Sequence, residues 1–236
     1  MPMPRLILIP GLAADHTMWR DQLEGLAAYR PVVSHSHAAE ESIPAMAARL
    51  LADHEGELVL CGASMGGMIA MEAARQAPER VAGLALLGTD ARPDAPEMIA
   101  LREAAIVLFA QGRAREVIAP NVAMAFDANN APRLAATYLD FVLAAGAEQL
   151  IRHNRAVIAR PDAREHLPNV RCPVLVMVGE SDKLAPPERS REIAALVPHV
   201  RLVTIPRCGH MLTMEQPEAV NTTLRAWLQD LGVPRA

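Results

Sequence analysis

The sequence predicts an α/β protein: a mostly parallel central sheet flanked by helices and interrupted by a helical insertion. Three observations carry that prediction. Six short, nearly continuous apolar runs are each bounded by Gly, Pro or Asp, which is how strands buried on both faces of a parallel sheet read. Helical patterns separate most of these runs. From about residue 90 to 167, however, helical patterns follow one another with no strand between them.

In chain order, the first strand is expected over Arg5–Ile9, where Pro10 and Gly11 stop it. The second and third fall at Pro31–Ser34 and Glu57–Cys61, and Asp15 reads as a helix N-cap ahead of Trp19. An apolar helix with Glu72, Arg75 and Gln76 on its polar side leads to the fourth strand, Val81–Leu87. The insertion shows Leu134, Tyr138, Phe141 and Val142 at helical spacing. Lying between two sheet strands, it should cover their carboxyl ends, where ligands bind in open α/β sheets. Strands at Val174–Val178 and Val200–Ile205 follow, and then a helix over Glu218–Leu231. Its Val220, Leu224, Trp227, Leu228 and Leu231 share one face, with Pro217 near its start and Gly232 past its end. The expected organisation is a core of residues 1–89 and 168–236 with a helical cap over 90–167.

At 236 residues the chain can bury roughly 70–75% of its unfolded surface in one domain. Only seven residues are aromatic, so the core must be built from aliphatic side chains and twelve Met. A net charge of −4 with interspersed signs offers no nucleic-acid footprint and no polybasic membrane patch. Met1–Arg5 and the run after it are too short for a signal peptide, and no apolar stretch reaches the roughly 20 residues of a membrane span. Cys61, Cys172 and Cys208 are widely spaced, without CxxC or His-spaced pattern. A cytoplasmic protein with reduced thiols is expected, and a homo-oligomer is left open.

The chemistry begins directly after the third strand, at Gly62-Ala63-Ser64-Met65-Gly66-Gly67. This is the G-x-S-x-G nucleophile elbow in its strand-turn-helix context. A strained turn projects the serine out of the sheet, and the helix behind it aims free N–H groups where an oxyanion would form. A serine hydroxyl needs a base, and the base needs an orienting group. The last strand runs into Pro206-Arg207-Cys208-Gly209-His210, presenting a histidine; the strand before it ends in Gly179-Glu180-Ser181-Asp182-Lys183, presenting carboxylates. Asp90 after the fourth strand is a third candidate acid beside Glu180 and Asp182. Asp182 is favoured because it lies far enough into its loop to reach a histidine on the neighbouring strand end.

Taken together, Pro10-Gly11-Leu12, the Gly62–Gly67 elbow, Gly179-x-x-Asp182 and Cys208-Gly209-His210 running into Glu215-Gln216-Pro217-Glu218 resemble the α/β-hydrolase family, in particular small esterases similar to 3-oxoadipate enol-lactonase-like members. The resemblance spans the whole chain. It implies Ser64 as nucleophile, His210 as base, Asp182 as acid, and the backbone N–H groups of Leu12 and Met65 as the oxyanion hole. It further implies hydrolysis of a small-molecule ester or lactone through an acyl-enzyme, with no metal and no organic cofactor. C–C bond hydrolysis, thioester hydrolysis and acyl transfer remain alternatives on the same triad, and a non-catalytic ligand-binding homologue is a further one.

One stretch departs from the family pattern: Ser34-His35-Ser36-His37-Ala38 stands where many relatives carry an Asp and a Gly-rich turn. His35 and His37 have no third ligand nearby, so the loop reads as solvated. His16 is a candidate substrate contact, and Cys208 reads as a small buried residue. Met98, Phe109, Met124, Phe126, Tyr138 and Phe141 divide between insertion core and acyl pocket.

Overall fold

The structure, a computed structural model, describes residues 4–38 and 40–235; Met1–Met3, part of the segment weighed as a leader, lie outside the described residues. Six strands form one sheet: β1 (Arg5–Ile9), β2 (Val32–Val33), β3 (Leu58–Ala63), β4 (Val81–Leu87), β5 (Val174–Gly179) and β6 (Val200–Ile205). Their order is β2-β1-β3-β4-β5-β6, and every neighbouring pair is parallel. Helices α1 (Arg20–Gly25), α2 (Ile43–Asp53) and α3 (Met65–Gln76) lie between the early strands. Between β4 and β5 come α4 (Pro96–Ala110), α5 (Ala114–Ile118), α6 (Ala131–Ala144) and α7 (Gly146–Ile158). α8 (Pro187–Leu196), α9 (Leu212–Glu215) and α10 (Pro217–Asp230) complete the chain.

The side-chain alternation of a strand sorts the core into two layers. Leu6, Leu8, Val59, Cys61, Leu175 and Met177 face one layer, which includes Val220, Leu224, Trp227 and Leu228 of α10. Ile7, Ile9, Leu58, Leu60, Val174 and Val176 face the other, with Ile43, Met46 and Leu50 of α2 and Ile69 of α3. Both faces are thus covered, which is why the inner strands read as unbroken apolar runs. β6 differs: it sits at the sheet edge with one neighbour, and Arg201, Leu202 and Thr204 are exposed.

Residues 90–167 hold no strand, and the two ends of this helical segment meet, with Ala163 N–H donating to Ala91 O at 2.9 Å. Arg160, itself buried, donates to Arg92 O and pairs with Asp94, which also takes Arg102. Phe109, Val122, Ala125, Phe126, Leu134, Phe141 and Val142 run into the same core layer as α10. Among the described residues no single helix is long and apolar enough to cross a membrane. Glu72, expected on the polar side of α3, is in fact buried, and its carboxylate accepts from Arg75 and Gln76.

Candidate active site

Ser64 closes β3 and opens α3 with φ 53° and ψ −120°, a backbone conformation that strains any side chain. The fold over-determines it. Ser64 N–H donates to Leu87 O of β4 (2.9 Å), and Ser64 O accepts from Gly67 N–H (2.9 Å) and the Thr89 hydroxyl (2.7 Å). The glycines make the close approach possible: a Cβ on Gly66 would stand 2.1 Å from Ile9 O, and one on Gly62 would stand 2.2 Å from Gly66 O.

His210 reaches this serine from the loop after β6. Its Nε2 lies 3.0 Å from Ser64 Oγ, and its Nδ1 lies 2.9 Å from Asp182 Oδ2 and 3.1 Å from Oδ1. The ionised carboxylate only accepts, so Nδ1 carries a proton and, in the neutral ring, Nε2 is left as an acceptor toward the serine hydroxyl. Asp182 Oδ1 also takes the Leu184 and Ala185 N–H groups, both at 2.9 Å, which fixes the carboxylate. Burial disfavours the His210 imidazolium, yet the Asp182 charge and hydrogen bond, with the charge of Glu215, outweigh it and hold the pKa above 6.5.

The other two candidate carboxylates are engaged elsewhere. Asp90 faces Arg189 at 3.2 Å and accepts from Arg92 N–H, while Glu180 accepts from Arg207 N–H. Met65 stands at the head of α3 and Leu12 at a corner of the Gly11–Ala14 turn, closed by Ala14 N–H to Gly11 O at 3.2 Å. A Cβ on Gly11 would lie 3.3 Å from Ser64 Cβ, so that turn packs directly on the serine.

Two groups at the site were given no role there by sequence reasoning. Glu215 is a buried carboxylate that brackets His210: Oε1 accepts from Gly209 and Met211 N–H, and Oε2 accepts from Asp127 N–H and the Asn130 amide. It stands in the very segment whose resemblance was noted, but nothing local marks it as a tie to residues 88 positions away. The helical segment adds Ala125 O, which accepts from His210 N–H (3.0 Å), and Asp127, which accepts from the Ser181 hydroxyl.

The second group is a histidine pair, and here a sequence expectation fails. The Ser34–Ala38 loop is not solvated, since Ser34, Ser36 and His37 are buried and only His35 and Ala38 face solvent. His37 Nε2 donates to Ala14 O at 3.0 Å, and its ring packs on His153 of α7 with centroids 5.4 Å apart. Among the described residues no three His, Cys, Asp or Glu side chains converge as a metal set.

The remaining candidates sort simply. Asp15 caps the short helix before Trp19, taking Thr17 N–H at 2.7 Å, while His16 is exposed. Cys208 is buried, and burial pushes its thiol pKa up. Phe126, Tyr138 and Phe141 stack edge to face, and Phe109 joins the same core layer, whereas Met98 and Met124 are exposed.

Comparison with known proteins agrees with this fold. A thermophilic esterase from Thermogutta terrifontis, solved with malate bound, is 31% identical, with a TM-score of 0.89 over 97% of this chain and 90% of that one. The enol-lactonase from Burkholderia xenovorans LB400 shares the fold at 24% identity and a TM-score of 0.85, over 97% and 92% of the two chains. Polyketide synthase ThaQ of Burkholderia thailandensis is 29% identical over 96% of this chain, which spans only 12% of that much longer protein. The model of the Alpha/beta hydrolase family matches residues 6–223, and this chain belongs to that family.

Proposed function

We propose that the chain hydrolyses a small-molecule carboxylic ester or lactone through a serine acyl-enzyme. The observation that carries the reading is the unbroken line from Asp182 through His210 to Ser64, at 2.9 and 3.0 Å. In this scheme Ser64 Oγ attacks the carbonyl carbon as His210 Nε2 takes its proton, and Asp182 holds the ring in the tautomer that leaves Nε2 free. The carbonyl oxygen becomes an oxyanion held by the Leu12 and Met65 N–H groups, an interaction worth about 2.7–4 kcal/mol per donor. Collapse expels the alkoxide, which receives the proton from His210. The same imidazole then activates water to release the acid and restore Ser64.

Residues 90–167 serve as a cap in this reading, supported by the contacts of Ala125 with His210 and of Asp127 with Ser181. The free thiols of Cys61, Cys172 and Cys208 support a reducing compartment such as the cytoplasm.

The test is a panel of p-nitrophenyl esters and lactones of graded acyl length, with the parent and Ser64→Ala side by side, and a fluorophosphonate probe read by mass. The parent should turn over at least one ester and gain one adduct, located on Ser64. Ser64→Ala should do neither, and an adduct on another serine or on Cys208 would overturn the assignment.

A further inference from the structure

We infer that His153, reaching across from α7, is a positioning residue that sets the oxyanion turn in its working conformation, with His37 as the strut behind it. The inference rests on the hydrolytic reading above. The turn Gly11–Ala14 has Leu12 and Ala13 at its two corners, and of the two only Ala13 has a positive φ, at 53°. That is the type II arrangement, whose third position ordinarily belongs to Gly or Asn. An alanine there is strained, so something outside the turn must hold it.

The histidine pair supplies that hold. Ala13 N–H donates to His153 Nδ1 at 3.0 Å, His153 Nε2 lies 2.9 Å from His37 O, and His37 Nε2 lies 3.0 Å from Ala14 O. A backbone N–H only donates and a carbonyl only accepts, which fixes every proton in this loop of contacts. His153 is bare at Nδ1 and protonated at Nε2; His37 is protonated at Nε2. Both rings are buried, with His153 at 0% and His37 at 2% exposure. Burial pushes the His153 pKa down to about 4 and that of His37 below its usual value, so both rings stay neutral.

The consequence for the site follows from how the two common turns differ. Types I and II interconvert by flipping the central peptide, here Leu12 C=O with Ala13 N–H. With the peptide flipped, Leu12 C=O would face the bare Nδ1, acceptor against acceptor. The imidazole therefore selects type II, commits Ala13 N–H to itself and leaves Leu12 N–H as the turn's donor toward Ser64. Because a Cβ on Gly11 would already stand 3.3 Å from Ser64 Cβ, a small rotation of the turn displaces that donor relative to the reacting carbon.

The test compares His153→Leu, His153→Gln and the double variant His153→Leu with Ala13→Gly, using whichever ester of the panel the parent turns over. His153→Leu should lose on the order of 10–100-fold in kcat with KM within about threefold, the scale of a misplaced catalytic group. Its affinity for a trifluoromethyl ketone, which forms a tetrahedral adduct on a serine, should fall by the same factor as kcat/KM. The Gln side chain can accept and donate where the imidazole does, so His153→Gln should recover most of the rate. Ala13→Gly should recover part of it in the Leu background, because glycine holds a positive φ unaided.

A folded His153→Leu protein with unchanged kcat, or a kcat loss without loss of ketone affinity, would overturn the inference. Should His153→Leu not fold, the ring ¹⁵N shifts of the parent decide: Nε2–H is expected, and an Nδ1–H tautomer at neutral pH would overturn it. A parent that neither turns over esters nor takes the fluorophosphonate would overturn the hydrolytic reading and this inference together. An active parent with indifferent variants would overturn the inference alone.

Discussion

The loops at the carboxyl edge of the sheet and the helical segment of residues 90–167 are fixed by different physics. At the sheet edge backbone meets backbone: Gly66 lies under Ile9 O and Gly179 under Gly209 O, so closely that a Cβ on either glycine would be 2.1 Å from that oxygen. The helical segment meets these loops backbone to backbone at one place, where a Cβ on Gly209 would be 2.6 Å from Asp127 N and Ala125 O takes His210 and Met211 N–H; its other ties run through side chains: Glu215 on Asp127 N–H, Ser181 on Asp127, His153 on Ala13 N–H. A backbone contact has no rotamer to escape into, whereas a side-chain tie costs conformational entropy and can be lost one at a time. The sheet edge should therefore set whether the chemistry happens, and the helical segment how well and on what.

The sharpest way to break that comparison is to exchange carboxylates. Asp182→Asn should lower kcat by up to about 10⁴-fold by favouring the wrong tautomer of His210. Asp90→Asn should stay within about tenfold of the parent, because Asp90 serves a partly exposed pair with Arg189, and such pairs contribute little. Steady-state kinetics on one ester decides, and a reversed order would move the acid to the end of β4.

Stability gives the second contrast. Gly66→Ala forces a methyl group into backbone, and its urea midpoint should fall by the equivalent of about 3 kcal/mol or more, the upper range for overpacking. Met124→Ala, on a residue 43% exposed, should stay within about 0.5 kcal/mol. Equal midpoints would mean that the elbow yields and is not backbone-locked.

A pH profile probes the tie at Glu215. His210 works as a base only when neutral, and its pKa is held above 6.5, so kcat/KM should be full above that raised value and fall away as pH drops through it. Glu215→Gln removes one of the charges that hold the pKa up, and the acid limb should move to lower pH. Loss of one charged hydrogen bond, about 1.5 kcal/mol at the lower end, should cost about tenfold in kcat as well. An unmoved limb would reduce Glu215 to a purely mechanical clamp.

The smallest effect is expected at the surface of the helical segment. Met124 directly precedes Ala125, whose carbonyl takes His210 N–H. Met124→Ala should shift the preferred acyl length by about fourfold, the worth of one buried methylene at about 0.8 kcal/mol, and leave the best attainable rate unchanged. Turnover lost on every ester would place the segment inside the catalytic machinery.

By itself the sequence determined what depends on neighbours in the chain. Strand positions were legible because burial on both sheet faces writes an unbroken apolar run, and the two edge strands, β2 and β6, each with one neighbour, are less buried than the inner four. The elbow was legible because a strained serine between close-packed backbones demands glycine at fixed spacing, and the order Ser64, Asp182, His210 followed from successive strand ends. Loop position already favoured Asp182 over Asp90 and Glu180, which also stand near strand ends, and tertiary structure, through the sheet order and the path of each loop, brings Asp182 to His210 at 2.9 Å. Tertiary structure also decided the roles of Glu215, His37 and His153, whose partners lie 88, 23 and 140 residues away. Contacts that long leave no periodicity behind, so a buried histidine holding a backbone amide reads in sequence like any polar loop or helix residue until folding brings its partner to it.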